Sequence, residues 1–471
     1  MKVKQIFRVV ALVVLSASAV MAVPLFVALF CGENVLPLML SLLVGVTFSV
    51  LTLFFCRSQS SISLTVPEGC ASTVLSWLAV TLIGSLPFYL SGSVPSFTDA
   101  FFETMSGFTT TGATILTDIE SLPKSLLLWR SLTHLLGGMG IIVLSLAIMP
   151  FLGAKSLAMY KAEVPGVTAG KVAPRLHSTA LLLWLVYVGL ALAETVLLMF
   201  GGMTLFDAFC HSCSTVATGG FSTKNASVAH FNSSYIQAVI TVFMFLSGVN
   251  FSLFFLLPSG KFREFLADEE FRTYAGIIAA SFVMIWLFTG RNAIFSIVSV
   301  ITTTGFITDD FDTWPDFCRF ILLMLMFVGA CGGSTGGGFK VSRLLILFRL
   351  LKCELLRLLH PKSVISPKFN RQVIRGVTLG NVSAFLVLYL LLSFSAVMIS
   401  TACGVDLVSS ITGTITCISN VGPGLGNLGP VRNFAWLPLT VKWTLALCML
   451  CGRLELCAVF MIILPEKFLW R

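Results

Sequence analysis

Charge is what this sequence lacks. Asp, Glu, Lys and Arg make up 11% of its 471 residues and hydrophobic types 56%, whereas soluble globular domains carry about 25% charged residues. So little charge cannot clothe a water-facing surface, which excludes a soluble protein. No polar stretch is large enough to form a nucleotide-binding domain, so any nucleotide control requires another polypeptide. Metal-ligand sets are missing as well. Cys210 and Cys213 flank His211 at a metal-like spacing, but no second ligand pair follows and the segment is apolar. Most of the thirteen cysteines, among them Cys31, Cys56, Cys70, Cys331, Cys403, Cys448, Cys451 and Cys457, lie in apolar runs and read as small buried hydrophobes. No nucleophile with a base and no cofactor motif is found, which argues against an enzyme.

What the chain has instead is long apolar runs. Stretches able to span a bilayer, which takes about 20 residues, fall at 7–30, 35–56, 70–91, 126–152, 176–200, 234–258, 273–289, 317–351, 374–400 and 435–465. The first has the basic start Lys2, Lys4 and Arg8, and a signal peptide is its rival reading. No clean cleavage site is visible, and another apolar run begins at residue 35. With the N-terminus inside, 22 of the 30 Lys and Arg residues fall on inside segments, as positive-inside topology requires. The net charge of +9 therefore reflects topology and not nucleic-acid binding. Outside segments hold 11 of the 21 acids: Glu33, Asp99, Glu103, Asp118, Glu120, Asp207, Asp309, Asp310, Asp312, Asp316 and Asp406. An acidic mouth of that kind would concentrate cations.

Between the runs a polar, Gly-centred loop recurs four times. It reads Thr109, Thr110, Thr111, Gly112, Ala113; then Val216, Ala217, Thr218, Gly219, Gly220, Phe221; then Thr302, Thr303, Thr304, Gly305, Phe306; and last Ser419, Asn420, Val421, Gly422, Pro423, Gly424. Gly112, Gly219, Gly305 and Gly422 are aligned as equivalent points, 107, 86 and 117 residues apart. Each loop follows a segment too short to cross: Asp99–Phe108, Asp207–Thr215, Asn292–Ile301 and Asp406–Ile418. An Asp or Asn at the start suits a helix cap. Such a helix must dip into the membrane and return as extended backbone. Irregular backbone at that depth survives only where protein buries it or where it lines a watery cavity. Four such loops around one axis would aim carbonyls inward and replace the hydration shell of a monovalent cation.

A second glycine set follows 25 to 30 residues on: Gly137, Gly138 and Gly140; Gly248; Gly332 and Gly333; Gly452. Small residues in membrane helices usually mean close packing. The third unit goes further, because the run from Gly329 to Gly338 cannot be a stable helix. A broken segment is expected there, beneath the loops. It is not a phosphate-binding loop, since Lys340 neither follows glycine directly nor precedes Ser or Thr. Arg453, one residue past Gly452 in an apolar run, marks an ion pathway or a latch to that segment; an ion pair with Glu455 or Glu194 is the structural alternative.

At this point the residues resemble a family, the TrkH/TrkG-type potassium uptake proteins, within the superfamily that also holds KtrB and the plant and fungal Trk and HKT transporters. The likeness covers nearly the whole chain and is carried by residues 109–114, Thr218 to Ser222, Thr303 to Phe306, Asn420 to Gly426, residues 333–338 and Gly452 to Glu455. It implies an all-α integral membrane fold of ten transmembrane helices plus four re-entrant pore helices. These would make four pseudo-symmetric units of helix, pore loop and helix around one pore, preceded by two extra N-terminal helices. The expected divisions are 1–69 for those two helices, then units 70–175, 176–271, 272–371 and 372–471. Potassium would be the transported ion, with no resident cofactor. The filter would comprise Thr110, Thr111, Gly112, Ala217, Thr218, Gly219, Gly220, Thr303, Thr304, Gly305, Asn420, Val421 and Gly422. The gate would comprise Gly332, Gly333, Ser334, Thr335, Gly336, Gly337, Gly338 and Arg453. Implied partners are membrane lipid, a second copy in a homodimer and a cytosolic, nucleotide-binding TrkA-like subunit; the implied location is the bacterial inner membrane with a cytoplasmic N-terminus. The fourth loop departs from Thr-Thr-Gly, and the basic segment from Lys340 to Arg375 suits either anionic lipid or a cytosolic regulator. Left open are a proton- or sodium-coupled transporter using Glu194 or His134, a sodium-preferring relative and a non-transporting scaffold.

Overall fold

A computed structural model describes residues 3–56, 64–140, 176–257, 260–290, 293–363, 365–370, 372–374, 376–454, 456 and 459–460. The chain is mostly helical. Its helices are α1 (Val3–Cys31), α2 (Leu36–Phe55), α3 (Val66–Leu90), α4 (Phe97–Phe108), α5 (Lys124–Gly138), α6 (Leu176–Phe200), α7 (Leu205–Val216), α8 (Ser234–Ser247), α9 (Phe262–Ala267), α10 (Glu269–Thr289), α11 (Ile294–Ile301), α12 (Asp316–Val328), α13 (Val341–Leu359), α14 (Gly376–Ala402), α15 (Leu407–Ser419) and α16 (Leu439–Arg453). A two-stranded antiparallel ribbon pairs Lys368 with Val373 and Phe369 with Gln372.

Among the described residues six helices are long and apolar enough to cross a membrane, within α1, α2, α3, α6, α10 and α14. Their outer faces carry bare hydrophobic side chains such as Phe54, Phe200, Leu287 and Phe394. In water so much exposed apolar surface would be a liability; against hydrocarbon it costs nothing. The expected run 317–351 is two helices, α12 and α13, separated by residues 329–340. The runs 126–152 and 435–465 continue beyond the described residues, as do Asn292, Glu455 and Cys457.

Four short helices, α4, α7, α11 and α15, lie inside a cage of longer ones. Packing runs in a circle: α4 touches α3, α5 and α16; α7 touches α5, α6 and α8; α11 touches α8, α10 and α12; α15 touches α12, α14 and α16. Each short helix thus bridges its own neighbours to a helix of the preceding unit, and the last unit closes on the first. The caps differ in one respect from the expectation. Ser96 and Thr204 cap α4 and α7 by accepting from the amides of Asp99 and Asp207, so those two acids sit in the first turn, where a negative charge also favours the helix dipole. Asp406 is itself the cap of α15. α11 has no side-chain cap from Ala293.

Candidate functional site

Each short helix ends in the same turn. Thr110, Thr218, Thr303 and Asn420 have φ of 52°, 55°, 60° and 56°, and two residues later Gly112, Gly220, Gly305 and Gly422 have φ of 80°, 76°, 79° and 103°. The amide of the first residue bonds back three positions, from Thr110 to Gly107 and from Thr303 to Val300; the next amide reaches five back, from Thr111 to Ser106 and from Thr304 to Ser299. Asn tolerates the left-handed region, but a β-branched residue there is a true outlier, costing about 1–3 kcal/mol each and marking functional sites. The shared pattern also corrects the alignment of the loops. Gly220, not Gly219, is the counterpart of Gly112, Gly305 and Gly422; Gly219 stands level with Thr111, Thr304 and Val421. Two adjacent glycines made the register ambiguous in sequence, and only φ resolves it.

The four glycines close a ring. A Cβ on Gly112 would strike the Gly219 carbonyl oxygen, on Gly220 that of Thr304, on Gly305 that of Val421, and on Gly422 that of Thr111, at 2.7 Å or less in every case. Each unit therefore presses its glycine against the preceding carbonyl of the next, around all four. Only residues without a side chain allow that approach. Asn420 reinforces the junction of units four and one, its amide donating to Thr111 Oγ1 at 2.9 Å and to Met449 O at 3.0 Å. The trailing glycines back the same turns: a Cβ on Gly137 would meet Phe108 O, and one on Gly452 would meet Ile418 O.

Directly beneath the ring lies the segment 329–340. Gly337 N donates to Thr303 Oγ1 at 2.6 Å, and Thr335 Oγ1 to Val216 O at 3.0 Å and Ser247 O at 3.2 Å. A Cβ on Gly336 would crowd Thr302 O, and on Gly337 it would crowd Ser419 O. Three units thus contact this segment at the level of the short-helix ends. Arg453, also of unit four, ties it to unit one, donating to Thr335 O at 2.7 Å and to the Gly137 and Gly138 carbonyls. Its two ends meet on one carboxylate, Glu270, which accepts from Gly332 N at 2.6 Å and Ser342 N at 3.0 Å. Lys340, at φ 80°, reaches back to Gly336 O. The sequence reading missed Glu270, which opens an apolar helix without any pattern of its own.

Above the ring is a bowl of about 170 Å³ floored by Gly112, Gly220, Gly305 and Gly422. Its lining includes Arg130, Lys224 and Arg432 and no Asp or Glu, so the outer acids expected to form an acidic mouth stand outside this bowl. Several of the outer acids hold structural contacts. Asp99 pairs with Lys442 at 2.6 Å, Asp312 with Arg319 at 2.8 Å, Glu33 accepts from the first amides of α5, and Asp118 from Asn225. Partial desolvation raises the Asp406 carboxyl, but bonds from Ser409 N and Asn427 outweigh it and hold the group below its ordinary value; Asp118 is held low by Asn225. A depressed carboxyl stabilises the fold above its unfolded value and loses that contribution only as pH falls through the folded one. The outer loops should therefore keep their structure from pH 8 to pH 5. Flux measured over that external range should stay flat in so far as Asp118 and Asp406 govern it, and a step caused by Asp406→Asn within it would contradict this.

Of the residues offered as alternatives, His134 packs against the second loop, where a Cβ on Gly219 would meet its ring. His134 is buried, with Nδ1 3.2 Å from Ser214 Oγ, and stacks on Phe221. Glu194 is buried on α6. Cys210 and Cys213 are free and buried in α7.

Known proteins share this chain throughout its length. The TrkH family model, described as a cation transport protein, matches residues 38–291 and 289–471. The Trk system potassium uptake protein TrkH of Salmonella typhimurium is 39% identical over 478 residues, covering 95% of this chain and 98% of its own. TrkG of Escherichia coli, also named a Trk system potassium uptake protein, is 34% identical over 95% and 94% of the two chains. The crystal structure of the potassium transporter TrkH from Vibrio parahaemolyticus superposes with a TM-score of 0.89 at 34% identity, covering both chains completely.

Proposed function

Because the chain belongs to the TrkH family of cation transport proteins, we propose that it takes up potassium through the ring of four loops. The observation that carries this is the cyclic contact of Gly112, Gly220, Gly305 and Gly422 with the carbonyls of Gly219, Thr304, Val421 and Thr111. A closed ring of backbone oxygens at the centre of an apolar fold replaces a monovalent cation's water without any fixed charge. The filter is formed by residues 110–112, 217–220, 303–305 and 420–422. Each of four units, 70–175, 176–271, 272–371 and 372–471, supplies one re-entrant helix and one loop, after two N-terminal helices.

Gly332 to Gly338 form the gate. They occupy the space under the ring, so ions pass only when this segment moves, and Arg453 is its latch. The chain works in the bacterial inner membrane with its N-terminus inside, as a homodimer surrounded by lipid, and a TrkA-like cytosolic subunit acts on the gate. The test is cation flux in liposomes holding the purified chain. Potassium flux well above sodium flux is expected; equal flux of both ions would overturn the filter, and uptake driven only by a proton or sodium gradient would replace it with coupled transport.

A further inference from the structure

One buried ion pair joins two of the four loops. Glu103, on α4 seven residues before Thr110, is 1% exposed, and Arg130, on α5, is 2% exposed. Arg130 Nε donates to Glu103 Oε1 at 2.7 Å. The same carboxylate accepts from Thr114 Oγ1 at 3.0 Å and from Ile115 N at 2.9 Å, both on the segment leaving loop one. The other arm of Arg130 goes to loop two. Its Nη1 donates to Ser222 O at 2.9 Å, and its guanidinium lies 3.5 Å from the centre of the Phe221 ring. Phe221 directly follows Gly220 and is sandwiched from its other side by His134 at 4.1 Å.

The remaining units handle the same position differently. Seven residues before Thr218 stands His211, whose Nε2 is 2.8 Å from Ser222 Oγ; before Thr303 stands Ser296, and before Asn420 stands Gly413. Thr114 and Ser222 each lie two residues past their glycine. The geometry is thus repeated in two units, but only unit one makes it ionic. Burying two charges is costly unless every bond is satisfied, and here the guanidinium fork is used in two directions. A planar fork can hold two partners in fixed relation, which a lysine point charge cannot.

We infer that Glu103 and Arg130 are positioning residues that fix the spacing of loops one and two and thereby set the discrimination between potassium and sodium. This rests on the proposed filter. Sodium is smaller, so a ring free to tighten accommodates it; the clamp opposes that movement at one of the four junctions. Neither residue touches the ion.

The test is the potassium-to-sodium flux ratio of full-length variants in liposomes, read together with thermal stability in detergent. Arg130→Lys keeps the charge balance but cannot span Glu103 and Ser222 O. It should retain potassium flux while its ratio falls about tenfold, what losing about 1.4 kcal/mol of discrimination gives. Thr114→Val should lower the ratio several-fold and Thr114→Ser leave it unchanged, a contrast that holds even if Arg130→Lys fails to fold. A merely structural pair would lower stability or yield and leave the ratio alone, so wild-type ratios in every folded variant overturn the inference. A wild-type protein with no preference for potassium sinks the filter and this inference together; a selective wild type with unaltered variants sinks the inference only.

Discussion

Gly305→Ser should abolish most of the preference for potassium over sodium, lowering the flux ratio about a hundredfold. Gly305 has φ of 79°, where an L side chain costs about 1–3 kcal/mol on conformation alone. Its Cβ would also lie against the Val421 carbonyl oxygen and 2.8 Å from Pro423 Cδ. Neither neighbour is the end of a flexible side chain, so the backbone must give way. The atom displaced is a proposed ion ligand, and its loss falls on selectivity before stability. Gly220→Ser should act alike, since its Cβ would strike Thr304 O. Gly189→Ala, on α6 with nothing within 4 Å, is the control and should be silent. Ratios measured by paired potassium and sodium flux in liposomes decide it; a wild-type ratio in Gly305→Ser is incompatible with a carbonyl ring at this position.

Arg453→Ala should raise basal flux about tenfold. The guanidinium joins the proposed gate, through Thr335 O, to the end of α5, through Gly137 O and Gly138 O. A hydrogen bond from a charged donor contributes about 1.5–3 kcal/mol, and removing such a tie shifts a closed-to-open equilibrium by about tenfold or more. Glu270 still anchors both ends of the segment, so the middle is released while the fold persists. Arg453→Lys should fall between, because a compact ammonium lacks the planar fork that reaches both elements at once. Unchanged flux in Arg453→Ala would remove the latch from the account.

Much of this architecture was legible in the residues. Apolar runs and the scarcity of charge exposed a membrane-type helical chain, and four polar Gly-centred loops stood out because lipid does not tolerate them. The Gly329 to Gly338 run announced a break, which the gap between α12 and α13 matches. The register of the second loop was not legible, because Gly219 and Gly220 are chemically identical and differ only in φ. Where the outer acids sit was not legible either, because charge in a sequence does not say what it pairs with; none lines the bowl above the ring, and Asp99 finds Lys442 across 343 residues. Glu103 was counted among those same acids and is instead buried under loop one.

What the sequence by itself determined was composition-level physics: which segments favour lipid, where helices cannot continue, and where backbone without side chains is needed. These follow from local propensity and solvent transfer, and they hold whatever the chain contacts. Tertiary structure alone decided which carbonyl each glycine meets, that the fourth unit closes on the first, and that Glu103, Arg130 and Phe221 join two loops. Those are distances between segments far apart in the chain, set by how helices pack around a common axis, and no local pattern encodes them.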